Sequence, residues 1–245
     1  MPKLKPSTQR ARREHILDAA ELCFARSGIH RCTMHDICKE AGISPGALYV
    51  YFASKEDLIA GLAERDRAEF QERFAPIGEA TDILGALQTI GEQYFVDEPT
   101  YKSLMCIEIG VESTRNKKIG EIYRSVDSHV YSSLRELFER LHQQGRIAPT
   151  LDTATVVELV AVIGDGLMWR RAVDPDFKPD KLMDAVTALV GSLINPTGVD
   201  ADVVLMQSKG QATVAANVGT IAHANASTTG ESGALTAPSD IEAKP

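Results

Sequence analysis

From Thr8 to Asn195 the apolar residues recur at intervals of three and four, and no run before residue 196 alternates as a strand does. The pattern predicts a first helix over residues 8–27, with Ile16, Leu17, Ala20, Cys23 and Phe24 on one face and Gly28 as its stop. Thr33 caps a second helix through Ala41, with Asp36 three residues on in a variant of the capping box, and Gly42 closes it. Ser44 caps a third, with Pro45 at its first position, where a missing N–H costs nothing. Ser54 caps a longer fourth carrying Leu58, Ile59, Leu62, Phe70 and Phe74, ended by Pro76 and Gly78. Five more helices are expected over 82–97, 100–113, 116–144, 153–172 and 179–195. They are parted by Pro99, by Asn116, by Gly145 with Pro149, and by Pro175 with Pro179. The expected fold is all-α, about nine helices with short connections.

Composition changes after Pro196. Residues 197–245 hold no Phe, Tyr or Trp and are rich in Ala, Gly, Ser and Thr, so they are expected to form a disordered tail. Charge divides the chain further. Although the whole carries −8, residues 1–55 hold nine Lys/Arg against five Asp/Glu, a net +4. Residues 56–196 come to −9, with fifteen against twenty-four, and residues 197–245 to −3, with two against five. A basic head on an acidic body suggests that a small segment meets phosphate while the rest has another task. The domain reading is therefore a head over 1–55, a body over 56–196 and the tail.

No stretch reaches the roughly 20 apolar residues of a membrane span, and the polar, basic start lacks a signal-peptide core. Cys23, Cys32, Cys38 and Cys106 show no zinc-type spacing and read as reduced thiols of a cytosolic protein. The six histidines are scattered, so neither a metal nor a cofactor is expected.

Within the head, TMHDICKEAGISPGALYVYFA (residues 33–53) sets two short helices about Gly42-Ile43. Ile37, Ala41, Ile43, Leu48 and Phe52 lock them together, which leaves Ser44, Gly46, Ala47, Tyr49 and Tyr51 on the outer side of the third helix. A helix that enters the major groove needs small residues at the point of approach and hydrogen-bond donors at its margins. Gly46 and Ala47 supply the first and the tyrosine hydroxyls the second, while the capped starts at Thr33 and Ser44 and the cation of Lys55 favour backbone phosphates. The candidate DNA contacts are Thr33, Ser44, Gly46, Ala47, Tyr49, Tyr51 and Lys55. The order of residues over 12–62 resembles the N-terminal signature of the TetR/AcrR family of bacterial transcriptional regulators. The resemblance rests on Ile16-Leu17-x-Ala19-Ala20, Phe24, Gly28, Thr33, Asp36-Ile37, Ala41-Gly42-Ile43-Ser44, Gly46, Leu48-Tyr49, Tyr51-Phe52 and Lys55-Glu56-x-Leu58. It implies an operator-binding domain joined by the fourth helix to a ligand-binding, dimer-forming body, with repression as the common mode. Cys23 and Met34-His35 depart from the family pattern, and His35 bears on operator choice. More loosely, MCIEIGVESTRNKKIGEIYRSVDSHV resembles the betaine-regulator-like and multidrug-pump-regulator branches.

The resemblance implies dimerisation through the last two long helices, and the residues carry an apolar pattern that suits it. Residues 153–172 are apolar nearly all round, as in a helix buried on every side, and 179–195 keep a sustained three/four spacing. The expected homodimer contacts are Val156, Val160, Leu182, Val186, Leu189, Val190 and Leu193. An aromatic and aliphatic effector pocket is expected from Tyr94, Met105, Ile109, Tyr123, Val126, Val130 and Trp169, with Asp165 as its polar group, which points to a hydrophobic or aromatic small molecule. The reading is a ligand-responsive regulator, a repressor released from a palindromic operator and controlling an efflux or catabolic operon. The alternative is a helical adaptor for protein partners. An enzyme finds no support: Gly-x-Ser-x-Gly, a phosphate loop and His-Glu-x-x-His are all missing from the sequence.

Overall fold

The computed structural model describes residues 6–197; the expectation for residues 197–245 therefore falls almost wholly outside the described residues. Nine α-helices lie within them: α1 Pro6–Ser27, α2 Met34–Glu40, α3 Pro45–Tyr49, α4 Lys55–Phe74, α5 Ile83–Glu92, α6 Thr100–Ser113, α7 Lys117–Gln143, α8 Thr153–Val173 and α9 Met183–Ile194. Local chemistry sets most of the boundaries. The Asp36 amide donates to the Thr33 hydroxyl oxygen at 3.2 Å while the Thr33 amide donates to the Asp36 carboxylate at 3.0 Å, a reciprocal capping box. Ser44, Ser54, Asp82, Asn116 and Asp152 cap α3, α4, α5, α7 and α8 with a side-chain oxygen that accepts from a backbone N–H of the first turn. Gly28, Gly42 and Gly145 follow helices with φ of +74°, +60° and +68°, where a side chain would be strained.

Two expected helices are shorter than the periodicity suggested. The 82–97 segment breaks at Gln93 into a π-helical turn, Gln93–Asp97. The carbonyls around it are collected by Arg171 of α8, whose guanidinium donates to Tyr94 O at 3.3 Å, Val96 O at 3.1 Å and Glu98 O. A tertiary contact thus accounts for where that helix changes form. The 179–195 segment opens as a 3₁₀ turn, Pro179–Lys181, before α9 begins.

The core has two centres. One gathers Ile16, Leu17, Phe24, Ile37, Leu48 and Phe52 of the head with Leu58, Ile59 and Leu62 of α4, and it also takes in Met105 of α6 and Ile119 of α7. Each fully buried residue of this size contributes roughly 1.5–3 kcal/mol of transfer free energy. Gly61 brings α4 against α1: a Cβ there would stand 2.9 Å from Phe52 Cε1 and 3.0 Å from Leu17 Cδ2. The second centre joins Ile83, Leu84 and Ile90 of α5 to Leu137, Phe138 and Leu141 of α7, Val156 and Val157 of α8, and Val190 and Ile194 of α9. No structural break falls between residues 55 and 56. Residue 55 opens α4, whose first half packs in the head core and whose Phe70 packs in the second centre.

Candidate DNA-recognition surface and ligand cleft

The outer side of α3 is open. Ser44, Pro45, Gly46 and Tyr49 are exposed, Ala47 is half-buried, and a Cβ placed on Gly46 would meet nothing within 4 Å. Val50 at the end of α3 is 78% exposed; composition gave no reason to single it out, yet it continues the same surface. Tyr51 differs from Tyr49. It is half-buried and packs against the head core, so its ring is fixed by the fold. The Thr33 hydroxyl donates to the Asp36 carboxylate at 2.6 Å, which commits it to the cap.

Lys55 is engaged within the fold. Its ammonium does not stand free for phosphate: it donates to Ile29 O at 2.6 Å, Cys32 O at 3.0 Å and His30 O at 3.4 Å. A lysine has three donors, and the carbonyls of the α1–α2 loop receive all of them. The cation at the start of α4 therefore satisfies protein oxygens that the turn leaves unpaired. Among the described residues, Arg10, Arg12, Arg31 and Lys39 are exposed head cations that form no salt bridge.

Head and body are tied by polar links as well as by the shared core. His30 Nε2 lies 2.5 Å from the buried Glu112 carboxylate of α6. Lys118 at the start of α7 pairs with Asp57 at 2.9 Å, and Asn116 donates to Glu56 at 3.1 Å. Farther along α4, Arg65 joins both Asp18 and the buried Glu21 of α1.

The expected ligand-lining residues divide among the head-side core, the second centre and the outer sides of α7 and α8. Met105 is buried in the head-side core and Ile109 packs against it. Val130 and Tyr94 pack against the second centre. Val126 is half-buried on α7, and Tyr123 and Asp165 are exposed on α7 and α8. Burial and the neighbouring Asp127 raise the Asp165 carboxyl above the usual carboxylate range. Trp169 stands apart from the two cores. At 54% exposed it lies on the outer side of α8, in helical register with Leu159, Val162 and Val173. The expected interface set divides too, because α8 and α9 each turn one side inward. Val156 and Val190 are buried in the chain's own core, and Val160, Val186 and Leu193 pack against it. The apolar side left uncovered is Leu159, Val162 (62% exposed), Trp169 and Val173 of α8 with Leu182, just before α9, and Leu189 (49%) of α9.

Sequence reasoning missed a cleft of about 820 Å³ beside the end of α4. It is lined by Glu69, Glu72 and Arg73 of α4, by Pro76, Ile77 and Ala80, by Ala86, Thr89 and Ile90 of α5, and by Gln93, Asp97, Glu98 and Pro99. The Arg73 guanidinium carbon lies 4.6 Å from the centre of the Tyr94 ring, and Nη2 reaches Glu98 at 2.7 Å and Glu69 at 3.6 Å. Lys102 pairs with the same two carboxylates, at 2.8 and 3.9 Å. Behind them Asp66 has its carboxyl pushed up to about 6 by burial, against the pull of Arg65 and Lys102. Burial likewise drives the Tyr94 phenol and the Cys106 thiol to about 12. The signal in the sequence was the acidic spacing Asp66, Glu69 and Glu72, followed by Arg73, on one stretch of helix.

An open recognition helix carried by a capped head, wired through one long helix to a helical body with a side cleft, defines a helix-turn-helix DNA-binding regulator. Residues 16–62 match the model of the tetR family of bacterial regulatory proteins, and residues 85–195 match the C-terminal region of BetI-type transcriptional repressors. The chain belongs to the TetR family of transcriptional regulators, which are not enzymes. It is 25% identical over 186 residues to the HTH-type transcriptional regulator UidR of Escherichia coli K12, covering 74% of this chain and 92% of that one. Among solved structures, Salmonella enterica GusR matches with a TM-score of 0.65 and 24% identity over 76% of this chain and 96% of its own. FadR of Bacillus subtilis in complex with stearoyl-CoA (TM-score 0.63, 23% identity, 74% and 98% covered) shares the fold. So does a regulator from Saccharomonospora viridis in complex with choline (0.61, 22%, 73% and 94%). The chain is a ligand-responsive DNA-binding regulator. Among the described residues no helix is long and apolar enough to cross a membrane, and no cluster of three or more His, Cys, Asp and Glu is arranged to hold a metal.

Proposed function

We propose that the protein is a homodimeric repressor of a palindromic operator, released by a small molecule bound in its body. The observation that carries this reading is the pairing of two uncovered surfaces. The outer side of α3 with its cap presents Ser44, Gly46, Ala47 and Tyr49, and the outer side of α8 and α9 presents Leu159, Val162, Trp169 and Leu189, with Leu182 just before α9. The first is shaped for a major groove, and the second is an apolar side of a size that a two-fold partner covers. Two-fold pairing places two recognition helices on half-sites of a palindrome. Ligand and operator then oppose each other because the ligand favours a conformer whose recognition helices are misspaced. Tyr51 and Thr33 act here by holding the surface in shape, and Lys55 by bracing the loop before α2.

The effector carries an apolar or aromatic portion, for which Pro76, Ile77, Ala86 and Ile90 of the cleft supply contacts. Stearoyl-CoA and choline, named for two proteins of the same fold, are chemically unlike, so the effector has to be read from the cleft itself. Control of an efflux or catabolic operon suits such a molecule. Fluorescence anisotropy with DNA from the promoter region beside its own gene tests the reading. Nanomolar, salt-sensitive binding to a site with two-fold symmetry is expected for a dimer seen by sedimentation. A monomer with no preference for that DNA overturns it.

A further inference from the structure

The cleft beside α4 carries an excess of negative charge that its own cations do not match. Arg73 is the one cation lining it, against Glu69, Glu72, Asp97 and Glu98. Arg73 and Lys102 are engaged with Glu69 and Glu98, which leaves Glu72, Asp97 and the deeper Asp66 with no salt bridge. The Arg73 guanidinium lies over an aromatic face and between two carboxylates, an arrangement that recognises organic cations. The seat is filled imperfectly: Arg73 Nη1 is buried and has no hydrogen-bond partner. Beside this seat the cleft offers an apolar floor of Pro76, Ile77, Ala86 and Ile90, and its far wall is the π-helical turn that Arg171 holds by three carbonyls.

We propose that the cleft is the effector site, that its ligand is a small organic cation with an apolar body, of the guanidinium or alkylammonium type, and that the ligand acts by displacing Arg73 from Tyr94, Glu98 and Glu69. The internal guanidinium is a latch that occupies the ligand's place. An incoming cation takes over the ring and the two carboxylates, lays its apolar part on Ile77 and Ile90, and frees the last turn of α4. That helix begins at the head, where Lys55 holds the loop before α2 and where Glu56 and Asp57 are tied to the start of α7. Movement of α4 therefore reaches the recognition helix through contacts already made. The inference rests on the regulator reading above and gives its effector a chemistry.

A matched pair of probes isolates the charge: benzylguanidinium and its neutral isostere benzylurea, titrated calorimetrically into the full chain. The cation is expected to bind at least tenfold more tightly than the urea and to lower operator affinity by a similar factor. Arg73→Ala, which removes the internal competitor, is expected to bind benzylguanidinium about tenfold more tightly than the native protein, and to bind operator more weakly with no ligand present. Equal binding of cation and urea overturns the proposal, as does an Arg73→Ala protein that folds and binds the cation no better. The probe pair decides the matter in the native chain even where the variant does not fold. Ligand-free operator binding, measured in the same series, separates the two claims. If it is present while the cation fails to bind, only the effector assignment falls; if it is absent, the regulator reading falls as well.

Discussion

The head and the body answer the same physical demands in different ways. In the head the polar groups at helix starts and in the α1–α2 loop find partners within the chain. Thr33, Ser44 and Ser54 satisfy helix starts, Lys55 satisfies three loop carbonyls, His15 meets Ala41 O at 2.9 Å, and Arg26 meets Glu40 at 2.8 Å. The body leaves demands unmet. It keeps an uncovered apolar side on α8 and α9, carboxylates without cations around the cleft, a guanidinium nitrogen without an acceptor, and an Asp66 carboxyl that burial pushes up to about 6. A region that meets its own needs is built to hold one shape. A region that does not is open to a partner, and the apolar side and the unmatched carboxylates are the groups on which the proposed helix-pair partner and cationic effector rest.

The comparison is broken most severely at Leu189. Leu189→Glu puts a carboxylate into the side proposed to be covered by a partner, where desolvating an unpaired charge costs several kcal/mol. Sedimentation is expected to show monomers, with operator binding lost. A stable dimer would mean that α9 lies outside the interface and that its apolar side is satisfied otherwise.

Next in size is Asp66. Its carboxyl moves from the ordinary 3.8 up to about 6 on folding, so the native state holds the proton more tightly than the unfolded chain does. The stabilisation is fully present below about 4 and is lost as the pH rises through about 6, an effect on the order of 2–3 kcal/mol. Asp66→Asn is expected to be the more stable protein at pH 7.5, by up to that amount. In urea denaturation series its advantage over the native chain should vanish toward pH 4. An advantage that does not depend on pH would show that Asp66 is not held in its neutral form.

Lys55 sharpens the contrast from the head's side. Removing the ammonium in Lys55→Met leaves the Ile29, His30 and Cys32 carbonyls short of a donor and is expected to destabilise the fold by about 1–3 kcal/mol. The salt dependence of operator binding should keep its slope, whereas loss of a phosphate contact would reduce it by about 1. The smallest effect belongs to Tyr49→Phe. Its exposed hydroxyl has no protein partner among the described hydrogen bonds, so thermal stability should be unchanged while operator affinity drops several-fold, about 1 kcal/mol. Lost stability in this variant would place Tyr49 in the fold and remove it from the DNA surface.

The sequence by itself determined the helices of the head and most of those of the body, because their signals are local. A cap acts on an amide two or three residues away, and a glycine stop acts at its own φ. The family resemblance over residues 12–62 made the recognition helix legible as well, since its residues lie within one continuous segment. What the tertiary structure decided was direction. Residues 153–172 are apolar nearly all round, so periodicity does not say which side faces inward; packing against α5, α7 and α9 buried Val156 and Val157 and left Val162 and Trp169 outside. Lys55 lies within reach of solvent and of the α1–α2 loop, and the turn geometry of residues 28–32 drew it to the loop. The cleft could not be read along the chain at all. Arg73 meets Tyr94 and Glu98 across a turn whose carbonyls Arg171, more than 70 residues further on, collects, and a contact of that range has no periodicity to announce it.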